Sequence, residues 1–204
     1  MSFLAGMFGP SREEVWKQLC GEIGADFVDG GFWKGDKVVA HVKGWTVTLD
    51  VYSVSSGHNH ITFTRMRAPF VSQDKLRFRI YRKSIFSALG KMLGMQDIEV
   101  GYSSQFDDDF IVQGNDETKI KALFANAEIR RLIEEQPQIR LELKDDEGFY
   151  CSRFPDGVDE LYFQVTGVIR EVERLKKLFD LFAEVLEEMH RLGFASDADP
   201  GVKL

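Results

Sequence analysis

The chain is poor in the features that would narrow its function quickly. It holds two cysteines, Cys20 and Cys151, too few and too far apart for a disulfide framework or a zinc knuckle, so both are read as reduced, small buried side chains. It holds five prolines and no low-complexity stretch, which leaves no obvious linker at which to divide it. No apolar run approaches the roughly 20 residues needed to cross a bilayer, and residues 1–9 lack the basic start of a secretory signal. These absences together predict a cytoplasmic, soluble protein with no membrane span. Also missing are a glycine-rich phosphate loop with its lysine, a nucleophile elbow, a His-Glu-x-x-His helix and a calcium loop. With none of these in place, no catalytic residue is assigned and no cofactor is expected.

What is present is a 204-residue chain with 44% hydrophobic and 29% charged residues, enough to bury a sizeable core. The expectation is a single domain over 1–204, with two similar halves at about 11–94 and 95–193. Net charge is −7, which disfavours nucleic acid because a phosphate backbone would be repelled at long range. The charge is unevenly spread. Residues 60–91 carry eight basic side chains against Asp74, a local +7 that leaves −14 on the remainder.

Local patterns alternate between helix and strand. Ser11 and Glu14 form a capping-box signature ahead of Val15, Trp16, Leu19, Cys20 and Ile23 at helical spacing. Residues 38–42 and 45–52 read as a hairpin turning at Lys43-Gly44, and residues 60–66 as a further strand ended by Pro69. Leu76, Phe78 and Ile80 alternate with Arg77, Arg79 and Tyr81, a strand leading into a short helix at 84–93 closed by Gly94. Strands are then expected at 98–102 and 106–112. A helix capped near Asn115 or Asp116 follows, breaking at Asn126, and after it come strands over 139–143, 149–154 and 161–165. The longest helix spans 169–192 and stops at Gly193, and its apolar face is wide enough to need cover on two sides. A second copy packed on that helix, a homodimer, would supply the second cover. Residues 196–204 read as a frayed tail. The predicted class is α+β, a mainly antiparallel curved sheet with helices on one face.

Three constellations could carry chemistry. His58 and His60, two residues apart at a strand start, could share a metal with Asp50 across the hairpin, the basis of an alternative reading as a metal-dependent hydrolase. Two imidazoles fall short of the usual ligand count, so no metal is assigned. The acidic runs 107–109 and 145–147 could gather a hard cation, but adjacent strand residues point apart, and solvated turns or partners for the arginines are favoured. The third is the basic strand pair. Arg65 and Arg67 with Phe63, and Arg77 and Arg79 with Tyr81, would form one outer sheet face if their strands were neighbours, suited to an anionic ligand or a protein partner.

The run Phe106-Asp-Asp-Asp-Phe110-Ile-Val112, with Gly114 to Glu117, Leu123-Phe124 and Leu143 to Gly148, resembles bacterial domains of unknown function across residues 106–192. That resemblance implies an uncharacterised bacterial domain and transfers no active-site residue. A non-enzymatic binding or interaction module using the arginine-rich face is the function expected from the sequence.

Overall fold

Helix α1 (Arg12–Ile23) begins where its capping residues dictate. The Ser11 hydroxyl accepts from the Glu14 amide at 3.2 Å while the Glu14 carboxylate accepts from the Ser11 amide at 2.7 Å, and Gly24 closes the helix at φ 68°. The computed structural model describes residues 9–31, 35–57, 59–84, 96–145 and 154–204. Nearly all of the expected strand at 149–154 and of the helix at 84–93, with Cys151 and His58, lie outside them.

After α1 come β1 (Asp26–Val28), β2 (Lys37–Val42), β3 (Trp45–Ser56) and β4 (Asn59–Ser72), then β5 (Phe78–Arg82) and β6 (Gln96–Ile98). Next are α2 (Ser104–Asp109), β7 (Phe110–Gly114), α3 (Glu117–Phe124), α4 (Ala127–Glu134), β8 (Arg140–Lys144) and β9 (Val158–Thr166). Helix α5 (Val172–Arg191) and β10 (Ala195–Ser196) end the order. Lys43 and Gly44, at φ 48° and 88°, supply the left-handed pair that a two-residue hairpin turn between β2 and β3 requires.

The strands join in one antiparallel sheet of order β1-β2-β3-β4-β9-β8-β5-β7-β6, with β10 added beside β4. Register explains its two faces. Val38, Leu49, Met66, Phe163, Leu141, Ile80, Val112 and Ile98 stand opposite one another across eight strands, and all are buried. That row is the floor of the core. Helices α1, α3, α4 and α5 close over the same face, α5 contributing Leu175, Leu178, Phe179, Phe182, Leu186 and Met189.

Several sequence expectations change here. The second cover for α5 comes from the chain's own α1 and α4, which removes the reason for a homodimer through that helix. Pro69 does not end its strand. The β3 ladder stops at Thr48 opposite Arg67, so Pro69 sits where β4 has already lost that neighbour, and its missing N–H breaks no β3 bond. Residues 104–109 form a helix rather than the start of a strand because the Ser103 hydroxyl caps the Phe106 amide and Phe106 turns into the core. The carboxy-terminal residues are not frayed: β10 pairs with β4, and the Lys37 ammonium donates to the Leu204 carbonyl. Helix α3 does break where expected, with Asp116 and Asn126 each capping a helix.

Gly114 marks a close approach between layers. A Cβ there would lie 2.0 Å from Ile120 Cδ1 and 2.8 Å from the Arg77 carbonyl oxygen, so only glycine lets α3 rest on the end of β7.

Candidate functional site

One residue along each strand from the apolar row lies a second row on the opposite sheet face. It reads Val39, Thr48, Arg67, Tyr162, Glu142, Arg79, Gln113 and Asp97. From Thr48 to Gln113 every member is buried, although the helices cover the other face. Burial of that kind requires partners, and the row supplies many of them laterally.

Two ionic clusters result. Asp50, in register with Arg65, takes a fork from its Nε and Nη2 at 2.8 Å each, and Arg67 Nη2 adds a third bond at 3.0 Å. Across β9, Glu142 accepts from Arg79 at 3.0 Å and from Arg140 on its own strand. Arg79 and Glu142 side chains are each 8% exposed. Lys144 pairs with the fully buried Glu160 at 3.5 Å.

Tyr162 stands between the clusters. Its hydroxyl and that of Tyr52 both donate to Gln164 Oε1, at 2.6 and 2.8 Å. Burial, the largest cause, pushes the Tyr162 phenol far above its ordinary value, with the neighbouring Arg65 and Arg140 opposing that shift. The Lys144 ammonium lies 3.4 Å from the centre of the Tyr162 ring, and Arg65 covers the Tyr52 ring at 4.7 Å. Tyr52 in turn stacks on Phe63 at 5.3 Å.

The residues singled out from sequence therefore separate. Arg65, Arg67, Arg79 and Tyr81 share this face, but β9 and β8 intervene between β4 and β5, so the two basic strands are not neighbours. Arg77 is elsewhere. It precedes β5 at the end of the sheet, where it forks onto the buried Asp159 at 2.8 Å and reaches Asp145 at 3.7 Å. Tyr162, Gln164, Arg140, Glu142 and Lys144 were not singled out, although their alternation with buried leucine and phenylalanine carried the same signal as the arginine strand.

Asp50 and His60 belong to opposite faces. Asp50 stands opposite Arg65, five residues along β4 from His60 with odd spacing, so their side chains point apart and cannot share an ion. Among the described residues no group of three or more His, Cys, Asp or Glu side chains is arranged to hold a metal. In the acidic run, Asp107 is held by the Val100 and Gly101 amides at 2.8 Å each, while Asp109 lies 3.6 Å from Arg82; Asp146 and Glu147 lie outside the described residues. At the β2–β4 end, residues 197–204 enclose a cavity of about 520 Å³ with Lys37, His41, Thr48 and Pro69.

No helix of the described residues is long and apolar enough to cross a membrane. No family model and no curated protein matches the chain. Among solved structures it is similar to the mycobacterial trehalose monomycolate transport factor A, with a TM-score of 0.50 at 9% identity, over 87% of this chain and 95% of that one. At that identity the likeness is one of fold alone.

Proposed function

We propose that the chain is a non-enzymatic binding module that takes an anionic group on the outer face of its sheet. The observation that carries this reading is the gathering of Arg65, Arg140 and Lys144 around Tyr162, each partly exposed while Arg67 and Arg79 behind them are buried. Half-shielded cations beside aromatic rings suit an anion, because the rings lower the local dielectric, and an incoming anion would share these cations with their carboxylate partners Asp50, Glu142 and Glu160. The buried arginines serve a different end. Arg67 and Arg79 brace the face through Asp50 and Glu142 and are supports rather than contacts.

The test uses inorganic pyrophosphate as the anion, titrated calorimetrically into the full chain at low salt. The unmodified chain should bind, more weakly as salt rises, and Arg140→Glu with Lys144→Glu should reduce affinity tenfold or more at a temperature where far-UV circular dichroism shows the variant folded, its melting temperature falling because Glu142 and Glu160 each lose a cation. Equal binding by the charge-reversed chain would defeat the proposal.

A further inference from the structure

Strands β3 and β4 are 12 and 14 residues long and outrun their neighbours. On one side β2 registers with β3 only as far as Lys37 opposite Asp50, and on the other β9 registers with β4 only as far as Val165 opposite Thr64. A single bridge from Gly167 reaches Phe63, and its amide donates to the Thr62 carbonyl at 2.8 Å. Beyond these, residues 52–61 continue as a two-stranded ribbon paired only to itself among the described residues, Ser53 opposite Thr62 and Ser56 opposite Asn59. Among the described residues no strand lies beside β3 over five residues of this ribbon, roughly 17 Å at 3.4 Å per residue.

This ribbon lacks the guards that strand edges normally carry. In a chain that is 29% charged, residues 51–64 contain no Asp, Glu, Lys, Arg or Pro. They are instead rich in valine, isoleucine, threonine, tyrosine and phenylalanine, the residues that favour strand pairing. Val54 and Ile61 stand opposite one another at 47% and 44% exposure, on the same face as the Tyr52–Phe63 stack. They are two of the four large apolar side chains exposed among the described residues. A lone hairpin is marginal in water, and one without Asp, Glu, Lys or Arg and with an apolar pair at its end is stabilised by adding strands to it.

We propose that this ribbon is a strand-pairing arm through which two copies of the chain associate, the β3 edges lying antiparallel about a two-fold axis. A second copy is the occupant favoured by charge. With His58 and His60 neutral the arm carries no charge, so antiparallel pairing brings no like charges together, and the isologous contact sets the two copies of Val54 side by side. The bodies carrying the net −7 stay apart. An arm of about 17 Å is near two Debye lengths at physiological salt, so their repulsion is largely screened. This surface is distinct from the Arg65, Arg140 and Lys144 cluster, and either can fail without the other.

Sedimentation velocity on the full chain between about 2 and 200 µM tests the proposal. The expected result is a concentration-dependent rise from 23.3 kDa toward twice that mass, abolished by Val54→Lys with unchanged far-UV circular dichroism. Hydrogen exchange supplies a readout that does not depend on a variant folding: amides of residues 52–56 should exchange more slowly at the high concentration than at the low one. A chain monomeric at 200 µM, a dimer indifferent to Val54→Lys, or open-ended aggregation in place of a dimer would each overturn it. An arm protected only when a different protein is added would do the same.

Discussion

Removing the Glu142 carboxylate tests how the outer face is held together. Glu142 sits on β8 with 8% of its side chain exposed, accepting from Arg79 at 3.0 Å on one oxygen and from Arg140 on the other. Glu142→Ala leaves the equally buried Arg79 guanidinium without its counter-ion. Breaking one partner out of a buried pair costs about 3–5 kcal/mol, most of it the desolvation of the charge left behind. For a chain of this size each kcal/mol shifts the melting temperature by about 2–4 °C, so the loss should be roughly 6–20 °C. Removing both charges with well-packed apolar side chains, Glu142→Leu with Arg79→Met, removes the stranded ion and should recover most of that loss. Urea denaturation of the two single variants and the double variant, followed by circular dichroism, gives the coupling directly. If Glu142→Ala loses under about 1 kcal/mol, or the double variant is no better than the single, Arg79 is solvated in solution and the account of a braced face is wrong.

Gly114→Ala should destabilise by about 1–3 kcal/mol, because its Cβ would meet both the Ile120 side chain and the Arg77 carbonyl, and the latter is backbone that yields little; a thermal midpoint within about 1 °C of the parent would contradict that packing. At the other end of the core, hydrogen bonding to Arg191 holds the Glu188 carboxyl below its ordinary range. A lowered folded-state pKa stabilises fully above the unfolded value near 4.3 and is lost as pH falls through the folded one. Since Arg191 is 67% exposed, the gain is modest, roughly 1 kcal/mol. Glu188→Gln should thus be less stable than the parent at pH 7, with the gap closing below pH about 4 in denaturant titrations, and a gap that widened toward acid would reverse the assignment.

Much of the local structure was legible because short-range chemistry decides it. The Ser11 and Asn126 caps, the Lys43-Gly44 turn and the alternation in β3, β5, β8 and β9 each depend on residues within a few positions of one another. The α2 helix was misread for the same reason in reverse. Phe106, Phe110 and Val112 fit a strand as well as they fit a helix entering a strand, and only the core position of Phe106 chooses between them.

The site was half legible, and the reason is topological. Alternation placed Arg65, Arg67, Arg79 and Tyr81 away from the apolar row, which requires only the two-residue period of a strand. It says nothing about which strand lies beside which. The pairing of Arg79 with Glu142 spans 63 positions, and the order β4-β9-β8-β5 places two strands from the far end of the sequence between the basic pair. Those two strands change the chemistry of the face, because they bring Glu142, Glu160 and Tyr162 into what would otherwise be an arginine patch. The same insertion brings Arg140 and Lys144, which the arginine pattern at 65–79 gave no cause to suspect. Direction of a side chain is thus local information, whereas the identity of its neighbour is not, and an anion-binding surface depends on the neighbour. Arg67 and Arg79 stand in one row with their guanidiniums already engaged by Asp50 and Glu142. Lys144, covering the Tyr162 ring and paired with Glu160, stands one register step away with a quarter of its side chain in solvent, and on the proposed reading that is where an anion would approach the chain.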